Sequence, residues 1–197
     1  VPLMERTLAQ FSQGKVEQPL RNVFSIGPDK AYCGVMPAAL SNPAAVGTKL
    51  VTLFEHNHLH GLPSHLATIV LLNPETGALL AVLDGTYITE ARTAAASAMA
   101  AQHLAVPTDG HKLAIVGSGV QARSHLDAFV HALSVQDVRV WSPTESHRRK
   151  FVNTISTSTD VPLAATSSAE EAIRGATLIV LATSSTESVV ENDWVAD

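Results

Sequence analysis

A glycine-rich segment in the second half of the chain has the residue types and spacing of a phosphate-binding loop. An apolar run, 112–116, precedes the pattern Gly117-x-Gly119-x-x-Ala122, and a helix-forming segment follows it. Gly117 would permit a tight turn, and Gly119 would let the backbone approach a pyrophosphate. Ala122 would let the helix pack closely on the strand, while the helix N-terminus attracts the anion. Because a second strand follows, the pattern predicts a dinucleotide site.

The end of that second strand bears on which dinucleotide would bind. The chain reads Ser142-Pro143-Thr144 there, whereas sites for NAD usually place an acidic residue that binds the ribose 2′-hydroxyl. The hydroxyls of Ser142 and Thr144, with Arg148 and Arg149 nearby, could instead accept a 2′-phosphate. The sequence therefore favours NADP(H), with NAD(H) as the alternative. On that alternative, the two arginines are a solvated helix face.

Histidine and cysteine give weaker signals. His56, His58 and His60 would share one face if they lay on a strand, as in a zinc site, and His65 is close. Turn residues nearby indicate a loop instead, and no Cys or carboxylate cluster supports the site, so we predict no metal. Cys33 lies in an apolar run and is interpreted as a small core residue.

The first half of the chain has the pattern of a helix followed by a sheet. Residues 1–14 have apolar residues at helical spacing, and Asn73–Gly77 is a typical hairpin turn. An alanine-rich helix is predicted over Ile88–Leu104, with Thr86 or Thr89 as its N-cap. Apolar runs that predict strands of an antiparallel or mixed sheet lie at 21–26, 31–36, 48–54, 66–72 and 78–83.

Strands and helices alternate in the second half. The predicted strands are 112–116, 138–141 and 177–182, and the predicted helices are 121–133, 145–155 and 168–174. Such alternation indicates a parallel sheet with right-handed crossovers. The fold class is therefore α/β, with an N-terminal α+β domain at 1–106. A Rossmann-type, doubly wound parallel sheet follows at 107–197.

Composition and charge exclude several classes of protein. Of 197 residues, 46% are hydrophobic, enough for a packed core, and the net charge of −5 provides no basic cluster for nucleic acid. No uninterrupted apolar run reaches the roughly 18 residues of a membrane span, and no signal peptide is visible. The lone cysteine suits a reducing compartment. We expect a cytoplasmic protein that binds neither nucleic acid nor membranes.

Several motifs together resemble the ornithine cyclodeaminase/mu-crystallin family, nearest to its ketimine reductase branch. They are Asp84-Gly85-x-x-Ile88-Thr89-x-x-Arg92-Thr93-Ala94-Ala95, the loop from Gly117 to Ala122, Val35–Ala38, Thr48–Thr52 and Pro63–His65. The resemblance implies a homodimer whose N-terminal domain binds substrate and mediates dimerisation. It also implies NADPH-dependent reduction of the C=N bond in a small cyclic imino acid, of the piperideine- or pyrroline-2-carboxylate type.

The resemblance also implies roles for particular residues. Arg21 would grip the substrate carboxylate with two hydrogen bonds, and Lys49 would hold the same group or protonate the imine nitrogen. Ser64 would reach the substrate pocket. Arg92 and Thr93 would open a helix beside the cofactor phosphates. The complete set of implied cofactor residues is His65, Arg92, Thr93, Gly117, Gly119, Val120, Gln121, Ser142, Thr144, Thr183 and Ser184.

Two departures from the family pattern are visible. Ornithine cyclodeaminases usually carry a glutamate two residues before the Met-Pro, where this chain has Gly34, which favours a reductase. The family also continues beyond residue 197, so we expect a C-terminally truncated Rossmann domain with about three strands and an exposed edge. An ornithine cyclodeaminase-type enzyme, an amino acid dehydrogenase and a non-catalytic protein that binds NADPH or thyroid hormone are the alternatives. Arg21 and Lys49 favour an enzyme within the family, whereas the sequence without the resemblance favours their interpretation as charges on an edge strand.

Overall fold

A computed structural model describes residues 1–27 and 31–195, and the chain divides into two compact units. One, here called the antiparallel unit, is Glu5–Thr89; the other, here called the parallel unit, is Val1–Met4 with Glu90–Asp197. The division falls inside a helix, whereas the sequence placed a domain boundary after residue 106. The assignment of substrate and cofactor functions to domains 1–106 and 107–197 stays a prediction.

The antiparallel unit is a sheet whose strands all pair with antiparallel neighbours. After helix α1 (Pro2–Ser12) come strands β1 (Val16–Glu17), β2 (Asn22–Ile26), β3 (Ala31–Ser41), β4 (Ala44–Leu53), β5 (His65–Leu72) and β6 (Leu79–Asp84). Their order is β1-β3-β4-β5-β6, and β2 also pairs with β3. The predicted helix and all five predicted strands of this half are therefore confirmed.

Strand β3 is longer than predicted because it continues through Pro37. Proline has no N–H to give to a strand ladder, so it is tolerated where one neighbour is missing. Strand β2 pairs with β3 only as far as Val35, and β1 pairs only with Ala39 and Leu40. Pro37 lies between these two pairings and interrupts neither.

The turn between β5 and β6 forms as the sequence predicted. The backbone N–H of Asn73 donates to the Ala78 carbonyl at 2.8 Å, and Gly77 has a φ of 72°, which favours glycine. The side-chain oxygen of Asn73 accepts hydrogen bonds from the N–H groups of Glu75 and Thr76. An Asn side chain that closes its own turn fixes the register of the hairpin.

Helix α2 (Gly85–Leu104) begins three residues earlier than predicted, and the predicted N-cap is wrong. The Asp84 carboxylate accepts from the Thr86 N–H at 2.8 Å, whereas the Thr86 hydroxyl accepts from the N–H of Ala67. Gly85 permits this early start, since a Cβ there would lie 3.0 Å from the Ala67 backbone. Among the described residues, no helix is both long and apolar enough to cross a membrane.

The parallel unit is a four-stranded sheet, counted over the residues described. Its strands are β7 (His111–Val116), β8 (Val135–Trp141), β9 (Leu163–Ala165) and β10 (Leu178–Leu181), in the order β10-β7-β8-β9. Its other helices are α3 (Val120–Ala132), α4 (Glu145–Ile155) and α5 (Ala169–Ile173). All strand pairs are parallel, as predicted. The sequence missed β9 because three residues are too few to show a pattern.

Both faces of the parallel sheet are covered, which makes it doubly wound. On one face Ile115 and Val140 pack with Phe129 of α3 and Phe151 of α4. On the other face Val116 belongs to a second buried cluster, which includes Ala172 and Ile173 of α5. Successive residues of β7 point to opposite faces, and both sets are buried, as expected for a parallel strand. The predicted Rossmann-type architecture is confirmed.

Candidate functional site

The carboxyl ends of three strands meet at one edge of the parallel sheet. Val116, at the end of β7, is in register with Trp141 on β8 and with Leu181 on β10. The chain reaches β10 by crossing from β9 to the far side of β7, so the winding direction reverses between β7 and β10. Ligands of open α/β sheets bind outside the strand ends at such a reversal. The Gly117–Ala122 loop starts there.

Gly117 is required by the geometry of this edge. Its φ is 125°, which L side chains rarely adopt, and a Cβ would collide with the carbonyl oxygen of Ala182. The N–H of Gly117 donates to the Trp141 carbonyl at 2.7 Å, and Ala182 donates to the Val116 carbonyl at 2.8 Å. The tight turn predicted for Gly117 is therefore present, and it joins all three strand ends.

Gly119 has a different reason to be glycine. It is the N-cap of α3 with a φ of −88°, which any residue adopts, and a Cβ would have no neighbour within 4 Å. The space over the helix start is therefore open, while Ala122 on its inner side is fully buried. Val120 is exposed, and the side-chain oxygen of Gln121 is buried with no hydrogen-bond partner among the described residues. The open space over the N-terminus of α3 fits an anion such as a dinucleotide pyrophosphate. The buried Gln121 oxygen is an acceptor and needs a donor, which a pyrophosphate does not bring.

A hydrogen-bond chain connects the phosphate loop to the end of β8. The Ser118 hydroxyl donates to the Ser142 hydroxyl at 3.0 Å, and Ser142 donates to the Thr144 carbonyl at 3.4 Å. Arg148 of α4 donates through Nη1 to the Ser142 carbonyl at 2.9 Å. Ser142 is 5% exposed, so its hydroxyl positions two loops, and Thr144 keeps an exposed hydroxyl that makes no cap hydrogen bond. The Ser118 contact could not be predicted from sequence, since only the fold brings the two loops together.

Four other predicted cofactor residues are in the parallel unit. Thr183 and Ser184 are exposed and follow β10 at the edge where Ala182 meets Gly117, and Thr183 accepts from the Ser185 N–H at 3.1 Å. Arg92 is exposed and Thr93 half-buried, both on α2. The expectation that this pair opens the helix is wrong, because α2 begins at Gly85, about two turns earlier.

Lys49 lies on one face of the antiparallel sheet, half-buried. On β4 it pairs with Met36 of β3 and Ile69 of β5, and its Nζ donates to the Thr89 hydroxyl at 3.4 Å. These neighbours belong to an open apolar depression of about 250 Å³. The sequence placed Thr89 in a motif and made it a candidate cap. Its contact with Lys49 became visible only in the structure.

Arg21 directly precedes β2, whose pairing with β3 starts at Asn22 opposite Val35. Arg21 is exposed, and one further residue in the same register would bring it opposite Met36, which pairs with Lys49. Gly34 occupies the face of Met36 and Lys49, since a Cβ there would lie 3.0 Å from the Val51 side chain and 3.6 Å from that of Met36. The glycine that departs from the cyclodeaminase pattern in sequence therefore shares a face with Lys49.

The histidine-rich segment does not form a strand. His56, His58 and His60 lie in a 3-10 helix, Glu55–His60, so the strand spacing that would align three imidazoles is absent. Within the two described ranges, no group of three or more His, Cys, Asp or Glu residues is arranged to hold a metal ion. The Ser64 hydroxyl lies 3.3 Å from Nδ1 of His65 at the start of β5, and both residues are exposed.

The fold and the loop define the class of protein. A doubly wound parallel sheet with a Gly-x-Gly-x-x-Ala turn at its reversal point is a Rossmann-type nucleotide-binding fold, here preceded by an antiparallel sheet. The model of the ornithine cyclodeaminase/mu-crystallin family matches residues 1–197, and the chain belongs to this family. The resemblance found in the sequence is confirmed.

Relatives of known structure or curated function share both units. The ketimine reductase mu-crystallin of Mus musculus is 40% identical over 99% of this chain and 62% of its own length. The Delta(1)-pyrroline-2-carboxylate reductase of Thermococcus litoralis, solved with NADH and L-proline, is 34% identical with a TM-score of 0.92, covering 98% of this chain and 59% of that one. An archaeal alanine dehydrogenase dimer with bound NAD is 31% identical with a TM-score of 0.89, covering 98% and 57%. The chain thus spans about three fifths of each relative.

Proposed function

We propose that this protein is an NADPH-dependent ketimine reductase that reduces the C=N bond of small cyclic imino acids. Piperideine- and pyrroline-2-carboxylate are the substrate types, and cyclic amino acids are the products. Two relatives carry names of this chemistry, a ketimine reductase and a pyrroline-2-carboxylate reductase. The observation that carries the proposal is the row in which Lys49 pairs with the apolar Met36, and the register of β2 extended by one residue would add Arg21 to it.

This row suits a small ring that bears a carboxylate. The Arg21 guanidinium is planar and would bind the carboxylate through two parallel hydrogen bonds. Met36 and Ile69 beside Lys49 would contact the CH₂ groups of the ring. A dibasic amino acid would need a carboxylate for its distal ammonium, and Gly34 supplies none on this face. The row therefore favours an imino acid over ornithine.

Reduction of C=N adds a hydride to carbon and a proton to nitrogen. The nicotinamide, when bound, supplies the hydride. The Lys49 ammonium is the proposed proton donor to the imine nitrogen, and the Thr89 hydroxyl that accepts from Nζ would orient it. The proton leaves Lys49 as the new N–H bond forms, and solvent restores it. Ser64 is proposed to contact the same substrate.

The parallel unit would hold the cofactor, for which we propose NADP(H). Gly117, Gly119, Val120 and Gln121 would face the pyrophosphate, since open space lies over the start of α3. Arg92 and Thr93 of α2 would contact the cofactor phosphates. Ser142 and Thr144 would contact the adenosine ribose, and Thr183 and Ser184 would lie on the nicotinamide side. His65, at the start of β5, is also proposed to contact the cofactor. The absence of a carboxylate at 142–144 supports NADP(H) over NAD(H).

A second copy of the chain is the proposed protein partner. Leu50, Leu66 and Val82 share the sheet face opposite Lys49, and they are 39%, 36% and 60% exposed. Adjacent exposed apolar side chains of this kind mark interaction surfaces. The archaeal alanine dehydrogenase of similar structure is a dimer, which supports a homodimer here.

Replacing Lys49 tests the proposal. We expect Lys49→Met to lower NADPH oxidation in the presence of a cyclic ketimine acid by roughly 100-fold or more, the usual contribution of a positioned acid. NADPH affinity, measured by cofactor fluorescence, should stay within about twofold. Lys112→Met removes an exposed lysine from β7 and should leave both quantities unchanged.

Other outcomes would contradict it. Equal turnover by Lys49→Met and by the parent protein would show that Lys49 is not the proton donor. Cofactor binding without turnover of any ketimine would indicate a non-catalytic binder. The similarity to an alanine dehydrogenase supports one second candidate, an amino acid dehydrogenase. Faster NAD(P)H oxidation with pyruvate and ammonia than with the cyclic ketimine would favour that enzyme.

A further inference from the structure

The end of β8 carries a cation where dinucleotide folds that bind NAD carry an acid. Ser142 directly follows β8, whose last residue, Trp141, is in register with the end of β7. An acidic residue at this point would bind a ribose 2′-hydroxyl and repel a 2′-phosphate. Ser142 is neutral, and the charged group that reaches it is the guanidinium of Arg148, through its Nη1 bond to the Ser142 carbonyl.

Arg148 is held in place from both ends. Its backbone N–H donates to the Thr144 carbonyl within α4, and its guanidinium is fixed by the 2.9 Å bond to Ser142. Ser142 is itself fixed to the phosphate loop by Ser118. One N–H of the guanidinium fork is used in this way, and a guanidinium has five. A half-buried, preoriented fork with unused donors loses little conformational entropy when it binds an anion.

The neighbouring arginine is in a different position. Arg149 is exposed and forms an ion pair with Glu145 at 2.7 Å, one helical turn earlier. The pair cancels the charge of the carboxylate nearest to the strand end. Over the described residues, no ion pair joins Arg148 to a carboxylate. Of the two arginines, Arg148 is therefore the one whose charge is not paired with a carboxylate at the end of β8.

We propose that Arg148 is the residue that selects NADP(H), by binding the 2′-phosphate of the adenosine ribose. The exposed Thr144 hydroxyl, which caps nothing, is the second donor, and Arg149 takes no part. This assignment rests on the nucleotide-binding half of the proposed function. It replaces the broader expectation from sequence, which treated the two arginines alike.

Binding of nucleotides and of their adenosine ends tests the assignment without catalysis. Affinities for NADPH, NADH, 2′,5′-ADP and 5′-ADP are measured by titration calorimetry. For Arg148→Ala we expect roughly tenfold or greater weakening of NADPH and 2′,5′-ADP, the usual contribution of a charge-assisted hydrogen bond. NADH and 5′-ADP should change by less than about twofold, which also shows that the loop remains folded.

Three further variants separate charge from structure. Arg148→Gln keeps an N–H donor for the Ser142 carbonyl but has no charge, and it should weaken NADPH binding as Arg148→Ala does. The double variant Glu145→Ala/Arg149→Ala removes the whole exposed ion pair and leaves no uncompensated carboxylate, so NADPH affinity should change by less than about twofold. Lys150→Ala removes an exposed cation from the same helix and serves as the control for net charge.

Each remaining outcome overturns the assignment. Equal weakening of NADH and NADPH in Arg148→Ala would make Arg148 a support of the loop only. An equal effect of Glu145→Ala/Arg149→Ala would show that the two arginines act alike. A parent protein that prefers NADH would exclude a 2′-phosphate subsite at Arg148 while leaving an imino acid reductase intact. No binding of any nucleotide would also remove the cofactor half of the proposed function.

Discussion

The two units differ in how their apolar residues are covered. In the parallel unit, Ile115, Val138 and Val140 are completely buried under helices on one face of the sheet, and Val116 is completely buried on the other. Among the described residues of the antiparallel unit, the one almost inaccessible apolar side chain is that of Ala31, at 4% exposure. Val82 of β6 is 60% exposed. The parallel unit thus has its own core, whereas the antiparallel unit presents apolar strands as surfaces.

Their candidate sites differ in the same way. In the parallel unit the site is backbone at the ends of strands, set by glycines and by the Ser118–Ser142 contact. In the antiparallel unit it is a row of side chains on a face of the sheet, which includes Met36 and Lys49, with Arg21 just before β2. A backbone site depends on one rigid core, whereas a side-chain row depends on register. Substitutions should therefore have different effects in the two units.

The largest expected effect is at Gly117. We expect Gly117→Ala to abolish nucleotide binding and to lower the melting temperature, because the new Cβ collides with the Ala182 carbonyl in a φ region unsuited to alanine. Calorimetric unfolding and NADPH fluorescence titration measure the two effects.

Gly119→Ala is the matched control for Gly117→Ala. Its Cβ meets nothing in the protein, so the loss of stability should be limited to the small cost of alanine at a helix N-cap and lie far below that of Gly117→Ala. NADPH affinity should fall if the pyrophosphate lies over Gly119. If the NADPH affinity of Gly119→Ala were unchanged, the pyrophosphate would not lie over the start of α3.

The next largest effect compares valines of the two units. Val140→Ala should lower the free energy of unfolding by about 2 kcal/mol, since two methyl groups leave a packed core. Val82→Ala should cost less than about 0.5 kcal/mol in a monomer. Urea titrations of the two variants give both values.

A second copy packed on Val82 would reduce this difference at high protein concentration. In that case Val82→Glu should shift the sedimentation coefficient towards that of a monomer. The dimer face would be contradicted if Val82→Ala lowered the free energy of unfolding by the same amount at every protein concentration and Val82→Glu left the sedimentation coefficient unchanged.

The smallest effect concerns pH and helix α5. The Ser167 hydroxyl and N–H donate to the Glu171 carboxylate at 2.7 and 2.8 Å, which lowers the pKa of Glu171 below its usual 4.5. Since the folded-state pKa is lower, the contribution to stability is complete above pH 4.5 and disappears as the pH falls through the folded-state pKa.

Glu171→Gln should therefore melt slightly below the parent at pH 7 and at the same temperature in acid. Ser167→Ala should show the same pH dependence, and the double variant should add nothing further. If the melting temperature of Glu171→Gln stayed equally far below that of the parent in acid, the carboxylate charge would not be involved.

The elements with strong local patterns could be predicted from sequence. The hairpin at Asn73–Gly77, helix α4 and the glycine loop all formed as expected, because each depends on residues close together in the chain. The N-cap of α2 could not be predicted, since the Thr86 hydroxyl accepts a hydrogen bond from the N–H of Ala67, a strand residue 19 positions away. Strand β9 could not be predicted either, because its three residues are fixed by pairing with β8.

The same distinction holds for the candidate sites. The sequence by itself determined the family, the fold class and the Gly117–Ala122 loop, because glycine spacing and the alternation of strands and helices are local properties. Only the tertiary structure paired Lys49 with Met36, and only it separated Arg148, bound to Ser142, from Arg149, bound to Glu145. Strand register and side-chain pairing join residues distant in the chain, and packing of the whole unit decides them.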